Sequence, residues 1–363
     1  MPSPYRNPEG NAIVYCEGAF GTPNGKTAHG LVRFTNRYQV LSVVDSRHHG
    51  EDAGTIIDDA PSGIPIFRDL LTAIAHSRDG SSPATHCVVG LAPDGGRLEG
   101  IHRTALHSAL SAGLHVDSGL HDFISDDPAM SALAEKNGLR IRDIRKPPAR
   151  ADLHFFSGKI EKVSALKIAL MGTDSAVGKR TTAWLLVKGL REAGISAELI
   201  GTGQTAWLQG ARYGIVMDSL INDFVAGEIE HAVWSAWEDE RPDVLVIEGQ
   251  GSLMNPAYPG GFEILAAGRP DILVLQHAPG RKEYDGFPGY PIHPLTRQIE
   301  VIELLSGKPV VAVTINHEGI PPHRIADTCD TVTRKTGRPA MDVLKHGTAN
   351  LVETIRPYLR GRS

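Results

Sequence analysis

The chain has 363 residues, 41% of them hydrophobic and 22% charged, the composition of a globular enzyme with room for two cored domains. A net charge of -5, with no basic run forming a stripe, argues against a nucleic-acid-binding protein. No apolar leader opens the sequence and no window approaches about 18 uninterrupted apolar residues. Cys16, Cys87 and Cys329 lack metal or disulfide spacing. A cytoplasmic protein without membrane or nucleic-acid partners is therefore expected.

In the first half, short apolar runs alternate with helical patterns. Residues 12–16 read as a strand, followed by the glycine turn Glu17-Gly-Ala-Phe-Gly21. Residues 38–44 form a second strand ending in Asp45, and residues 86–91 a third, broken by Ala92-Pro-Asp-Gly-Gly96. Helical spacing runs from 103 to 112 and from 128 to 136, with extended pieces at 114–116 and 139–144. Such alternation predicts a parallel α/β domain. A glycine turn after strand one and an acid after strand two resemble a dinucleotide-binding half, but the glycines miss the G-x-G-x-x-G spacing. The expectation is a Rossmann-like fold without a nicotinamide cofactor. Gly21-Thr-Pro-Asn-Gly-Lys-Thr27 imitates a phosphate loop with one residue too few, and it reads as a surface loop in which Lys26 and Thr27 face the cleft between domains.

Tandem prolines in Lys146-Pro-Pro-Ala-Arg150 mark the domain boundary, giving domains 1–150 and 151–363. Beyond it the apolar run 165–171 reads as a buried parallel strand. It leads into Gly172-Thr-Asp-Ser-Ala-Val-Gly-Lys179, and Leu186, Val187 and Leu190 then fall at helical spacing before Gly194. Strand, glycine loop ending in Gly-Lys, then helix is the setting of a phosphate-binding loop: amides and the helix N-terminus face an anion, and Lys179 adds a charge. The motif differs from the standard one. Five residues rather than four separate its glycines, and Arg180 stands where a magnesium-ligating hydroxyl belongs. Hydroxyls follow at Thr181 and Thr182. An arginine adds a cation but cannot ligate a metal.

Further strands are expected at 197–202, 244–247, 272–276 and 310–315, with helices at 226–237 and 295–305. Ligands of such sheets sit beyond the carboxyl ends of the strands. Glu248 follows one of these strands and precedes glycines, so it is a candidate general base, a metal ligand through water, or a salt-bridge partner of Lys179. Asp218, Asp223, Glu228 and Glu230 read mostly as a solvated helix face, with Asp218 and Asp223 the two expected to face the site. The long segment 277–293 holds Arg281 and Lys282, candidate grips for a substrate carboxylate, or else a charge cluster on a cover loop. His277 and His293 are candidate proton carriers among sixteen histidines.

Two resemblances follow from these motifs. Gly172-Thr-Asp-Ser-Ala-Val-Gly-Lys179 and the strand entering Glu248-Gly249 resemble dethiobiotin synthetase and its P-loop relatives. That likeness implies an ATP- and magnesium-dependent ligase or kinase, with Glu248 and Asp218 as metal ligands, and Arg180 departs from it. A second likeness covers nearly the whole chain. Lys26-Thr-Ala28, residues 172–182, residues 201–213 with Gly214-Ile-Val-Met-Asp-Ser219, and Glu248-Gly-Gln-Gly251 are similar to a bacterial family long described as a domain of unknown function. That family joins an N-terminal Rossmann-like domain to a C-terminal P-loop domain. Some members are D-glutamate N-acetyltransferases that use acetyl-CoA in D-amino-acid breakdown beside an enolase-type epimerase.

The second likeness implies acetyl-CoA as co-substrate, its phosphates held by Gly172, Thr173, Asp174, Ser175, Ala176, Val177, Gly178, Lys179, Arg180 and Thr181. Coenzyme A carries a pyrophosphate and a ribose phosphate, which such a loop can hold without magnesium or hydrolysis. Glu248 and Lys179 are the catalytic candidates, and Arg212, Arg281 and Lys282 the cations for the carboxylates of a small-molecule amino-acid substrate. A homodimer with its active site in the interdomain cleft is expected. The rivals are the ATP/magnesium ligase or kinase and a non-catalytic nucleotide-binding regulator.

Overall fold

The computed structural model describes residues 8–80, 82–98 and 100–359. The chain divides between Pro147 and Pro148 into two compact units, and residues 204–210 join the first.

The first unit runs β1 (Gly10–Tyr15), α1 (Lys26–Arg33), β2 (Tyr38–Val44), α2 (Ala53–Asp58), β3 (Ile66–Phe67), α3 (Leu70–Asp79), β4 (His86–Val89), α4 (Gly100–Ser111), β5 (His115–Ser118), α5 (Pro128–Lys136) and β6 (Ile141–Asp143). Its strands pair in parallel in the order β3-β2-β1-β4-β5-β6, the order of a Rossmann-like sheet. Asp52, Asp69 and Asp127 cap α2, α3 and α5 by accepting amides of their first turns.

One expectation fails here. Lys26 and Thr27, read as the end of a surface loop, instead open α1, in which Thr27, Ala28, Gly30 and Leu31 are buried. The helix owes its place to long-range partners rather than to local propensity. Ala28 N donates to Gly90 O at 3.1 Å. The segment 204–210, carrying α7 (Gln204–Leu208), supplies the rest. Thr205 and Thr27 share a hydroxyl hydrogen bond of 3.0 Å, and Gln209 Nε2 donates to Gly30 O and Phe34 O at 2.8 and 2.9 Å. The Trp207 ring lies under the guanidiniums of Arg37 and Arg142, 3.7 and 4.9 Å from its centroid. Leu208 is fully buried in this unit's core.

The second unit contains β7 (Leu166–Gly172), α6 (Lys179–Glu192), β8 (Ala197–Gly201), β9 (Tyr213–Gly214), α8 (Asn222–Glu240), β10 (Val244–Glu248), α9 (Phe262–Ala267), β11 (Ile272–His277), α10 (Leu295–Ser306), β12 (Val310–Ile315), α11 (Ile325–Thr336), β13 (Ala340–Met341), α12 (Val343–His346) and α13 (Ala349–Ile355). The parallel order is β13-β12-β11-β7-β10-β8-β9, with β7 flanked by β10 and β11. Every residue of β7, β10 and β12 is buried, as apolar strands covered on both faces require.

A second expectation fails on α8. Glu228 and Glu230 are buried rather than solvated. The incoming stretch 154–160 runs across them, and its unpaired amides need acceptors. Glu228 accepts from His154 N and Nδ1 at 2.7 and 2.8 Å, and Glu230 from Ser157 N, Ser157 Oγ and Ile160 N.

Candidate functional site

The phosphate loop leaves β7 at Gly172 and enters α6 at Lys179. Gly178 takes φ +99°, a left-handed conformation suited to glycine. A Cβ on Gly172 would lie 2.7 Å from Lys179 Cδ, so the lysine stem folds back over that glycine. Lys179 Nζ donates to Asp174 O and Gly251 O, each at 2.7 Å. The ammonium thus stands between the loop and the segment after β10. Ala176 is exposed with φ +50°, a strained setting for a residue with a Cβ.

Asp174 does not present its carboxylate to a ligand. It is fully buried and accepts four hydrogen bonds. Oδ1 receives Ser175 N (2.7 Å) and Asn255 Nδ2 (2.8 Å), and Oδ2 receives Asp285 N (2.9 Å) and Arg281 Nη1 (3.1 Å). The acid therefore ties the segments after β10 and β11 to the phosphate loop. Arg281 is engaged in the same work rather than reaching for substrate. It donates also to Ser175 O and Ala176 O, and pairs with Glu318 at 2.8 Å. Lys282, next in sequence, is exposed.

The two hydroxyls after Arg180 have different fates. Thr182 Oγ1 is buried and donates to Gln276 Oε1 at 2.6 Å, an oxygen that Thr314 Oγ1 also approaches at 2.6 Å. Thr181 is half-buried in the first turn of α6. Thr173 Oγ1 meets His277 Nδ1 at 3.0 Å, and Asn316 Nδ2 donates to Val177 O at 3.0 Å. Burial, aided by the Lys335 charge, lowers the His277 pKa to about 4. That leaves it a neutral partner of the loop near pH 7, not a proton carrier there. His293 is held by the Tyr284 hydroxyl at 2.8 Å.

Glu248 ends β10 and is 4% exposed. Burial raises its carboxyl above the usual range. Against that act the Arg180 charge, the Thr202 amide, the Lys179 charge and the Gly203 amide, in that order. Thr202 N donates to Glu248 Oε2 at 2.9 Å, Thr202 Oγ1 to Glu248 O at 3.0 Å, and Gln250 Nε2 to Thr202 Oγ1 at 2.9 Å. A buried carboxylate with raised proton affinity beside a guanidinium is suited to accepting a proton. Sequence reasoning passed over Thr202 and Gln250, although both stand at strand ends, where polar residues invite inspection.

Arg212, Asp218 and Asp223 are all exposed. Arg212 is exposed, pairs with Glu240 at 2.5 Å and lies over the Tyr213 ring, which engages it at the far end of α8. Asp218 is exposed on the turn Met217–Ser219, which meets Thr202 O through Met217 N at 3.1 Å. Asp223 is exposed in the first turn of α8. In the first unit, the acid after β2 is also engaged: Asp45 is fully buried and accepts from Gly18 N and His48 Nδ1. Among the described residues, no three His, Cys, Asp or Glu stand arranged to hold a metal, and no helix is long and apolar enough to cross a membrane.

Comparison with known proteins agrees with this architecture. A crystal structure of a DUF1611 family protein from Anabaena variabilis superposes with a TM-score of 0.87 at 26% identity, covering 96% of this chain and 99% of that one. A protein of Tritonibacter scottomollicae named D-glutamate N-acetyltransferase is 30% identical over 78% of this chain and 85% of its own length. One of the same name from Pseudoalteromonas is 29% identical over 74% of this chain and 80% of its own length. The model of the DUF1611 P-loop domain matches residues 154–352, and that of the DUF1611 Rossmann-like N-terminal domain matches residues 46–147. The chain belongs to the DUF1611 family, with its Rossmann-like N-terminal and P-loop C-terminal domains.

Proposed function

We propose that this protein is an N-acetyltransferase that moves the acetyl group of acetyl-CoA to the amine of D-glutamate or a similar acidic D-amino acid. The reading is carried by the two relatives that bear that name, each aligning with about three quarters of this chain. The phosphate loop supports it. Arg180 occupies the position of the metal-ligating hydroxyl, and the Thr182 hydroxyl is buried on Gln276. The loop offers an anion amides and cations, which suits coenzyme A phosphates without nucleotide hydrolysis.

Acetyl transfer requires a neutral amine, so a base must take its proton as the nitrogen attacks the thioester carbonyl, and donors must meet the oxyanion that forms. Glu248 is the residue assigned to the proton, on the strength of its raised proton affinity and its place at the end of β10. Lys179 and Arg180 are assigned to the ligand's phosphates. Arg281, committed to Asp174 and Glu318, is withdrawn as a substrate grip, and the exposed Lys282 is retained.

The test is thiol release from acetyl-CoA against a panel of D- and L-amino acids, with magnesium-ATP turnover as the control. Release with D-glutamate is the expected result. No release with any amino acid, together with magnesium-dependent ATP turnover, would overturn the assignment in favour of the ligase reading.

A further inference from the structure

We propose that Tyr258, Phe287 and Tyr290 form a stacking shelf for the nucleobase of the phosphate-bearing ligand held on the 173–178 loop. The base is adenine under the acetyl-CoA reading, on which that identification rests.

The shelf is built from two loops, each fastened to the phosphate loop by the same buried carboxylate. The first follows β10. Asn255 Nδ2 reaches Asp174 Oδ1, while Asn255 Oδ1 accepts from Ala257 N and Tyr258 N at 2.8 and 2.9 Å. Tyr258 O accepts from Ser252 N at 3.1 Å, and a Cβ on Gly251 would meet that oxygen at 2.1 Å. Gly251 O in turn holds the Lys179 ammonium. Tyr258 is therefore two backbone contacts from the phosphate-loop lysine.

The second loop, after β11, folds back on itself. Tyr284 N donates to Tyr290 O and Ile292 N to Lys282 O, each at 2.9 Å, and Glu283 bridges Pro291. At its root Asp285 N donates to Asp174 Oδ2. One aromatic of this hairpin anchors it: Tyr284 is buried with its hydroxyl on His293. Of the others, Phe287 is half-buried and Tyr290 exposed, and both join Tyr258 in an edge-to-face chain. Tyr258 and Phe287 have centroids 6.5 Å apart at 72°, and Phe287 and Tyr290 6.4 Å apart at 87°. Tyr258 is 55% exposed and Tyr290 56%.

Rings displayed on hydrogen-bonded loops leave faces for a planar partner at little cost in ordering. A nucleotide with phosphates on the 173–178 loop carries its base one ribose away, and the loops that bear those rings are tied to that same loop through Asp174. Neither an acidic amino acid nor a flexible acyl arm has an aromatic face to offer them. Stacking of a base on an aromatic ring is sequence-tolerant and contributes substantially to affinity.

The experiment measures acetyl-CoA, 3′,5′-ADP and magnesium-ATP binding by titration calorimetry. It compares the wild type with Tyr258→Ala, Tyr290→Ala, Tyr258→Phe and Tyr290→Phe, and uses Lys179→Ala as the phosphate control. The alanine variants should bind acetyl-CoA and 3′,5′-ADP about 5- to 150-fold more weakly. The phenylalanine variants should match the wild type, and competition by acetyl-pantetheine, which lacks the nucleotide, should not change. Alanine variants that bind acetyl-CoA within about twofold of wild type, while Lys179→Ala loses it, overturn the shelf and leave the acetyl-CoA reading standing. A wild type that binds magnesium-ATP but not acetyl-CoA, with ATP affinity falling in the alanine variants, keeps the shelf and overturns that reading. Binding of none of the three overturns both.

Discussion

Replacing Asp174 by asparagine tests whether one buried carboxylate holds the site together. Four donors converge on it: Ser175 N and Asn255 Nδ2 on one oxygen, Asp285 N and Arg281 Nη1 on the other. An asparagine keeps a single carbonyl oxygen, and in either orientation its amide nitrogen turns two hydrogens toward two donors. Each buried donor left without an acceptor costs about 1–3 kcal/mol. Arg281 keeps Glu318 and two loop carbonyls, which moderates its loss. The expected destabilisation is about 3–5 kcal/mol, the range for removing one partner of a buried ion pair. For a unit of this size that lowers its melting temperature by about 6–20 °C. Tryptophan fluorescence is the assay, because Trp184, Trp234 and Trp237 all lie in the second unit. The double variant Asp174→Asn/Arg281→Met should recover part of the loss, since it removes one of the opposed donors. A loss below about 1 kcal/mol in the single variant, or simple additivity in the double, would refute the keystone role.

Three further outcomes follow from the same geometry. Lys179→Ala should weaken binding of the phosphate-bearing ligand by about 1.5–3 kcal/mol in calorimetry while the fold survives, and unchanged affinity for both acetyl-CoA and ATP would remove the phosphate loop from the mechanism. Glu248→Gln should lower turnover about a hundred- to ten-thousandfold with binding intact, and normal turnover would make Glu248 structural. Its stability should change with a definite sign. The folded-state pKa is raised, so the folded protein binds this proton more tightly than the unfolded chain, and wild-type stability falls as pH rises from the unfolded pKa through the folded one. Melts at pH 4 and pH 8 should therefore show the glutamine variant gaining relative to wild type at the higher pH. Leu208→Ala should destabilise the first unit by about 2–5 kcal/mol, because this side chain is fully buried in that unit's core; a melt shift confined to the second unit would contradict the assignment of residues 204–210.

What the sequence disclosed and what it withheld divide along a physical line. Strands buried on both faces announce themselves as apolar runs, and β12 falls where its run places it. The strand-loop-helix around Lys179 was equally legible, since glycines and a lysine at a helix start have few other uses. Helix α1 was not, because Lys26-Thr-Ala-His-Gly30 has little propensity of its own and is held by Gly90, Thr205 and Gln209. Nothing local marks α7 as part of the first unit either. Five residues are too few for a helical period, and the groups that hold them lie some 170 positions earlier.

The charged residues were misassigned for the same reason. Asp174, Arg281, Glu228 and Glu230 look like site chemistry or solvated surface, but each serves backbone groups distant in sequence. A fold must satisfy its buried amides and carbonyls before any side chain is available to a ligand. In this protein the demand falls on an acid inside the phosphate loop itself. The carboxylate that resembles a ligand contact instead ties down the loops that follow β10 and β11. Charge at a strand end thus marks where a site lies, while the hydrogen-bond ledger decides which charges belong to it. By that reckoning Glu248, under the influence of Arg180 and Lys179, is the acid to test for a role in the chemistry, and Asp174 and Arg281 pass to the frame around it.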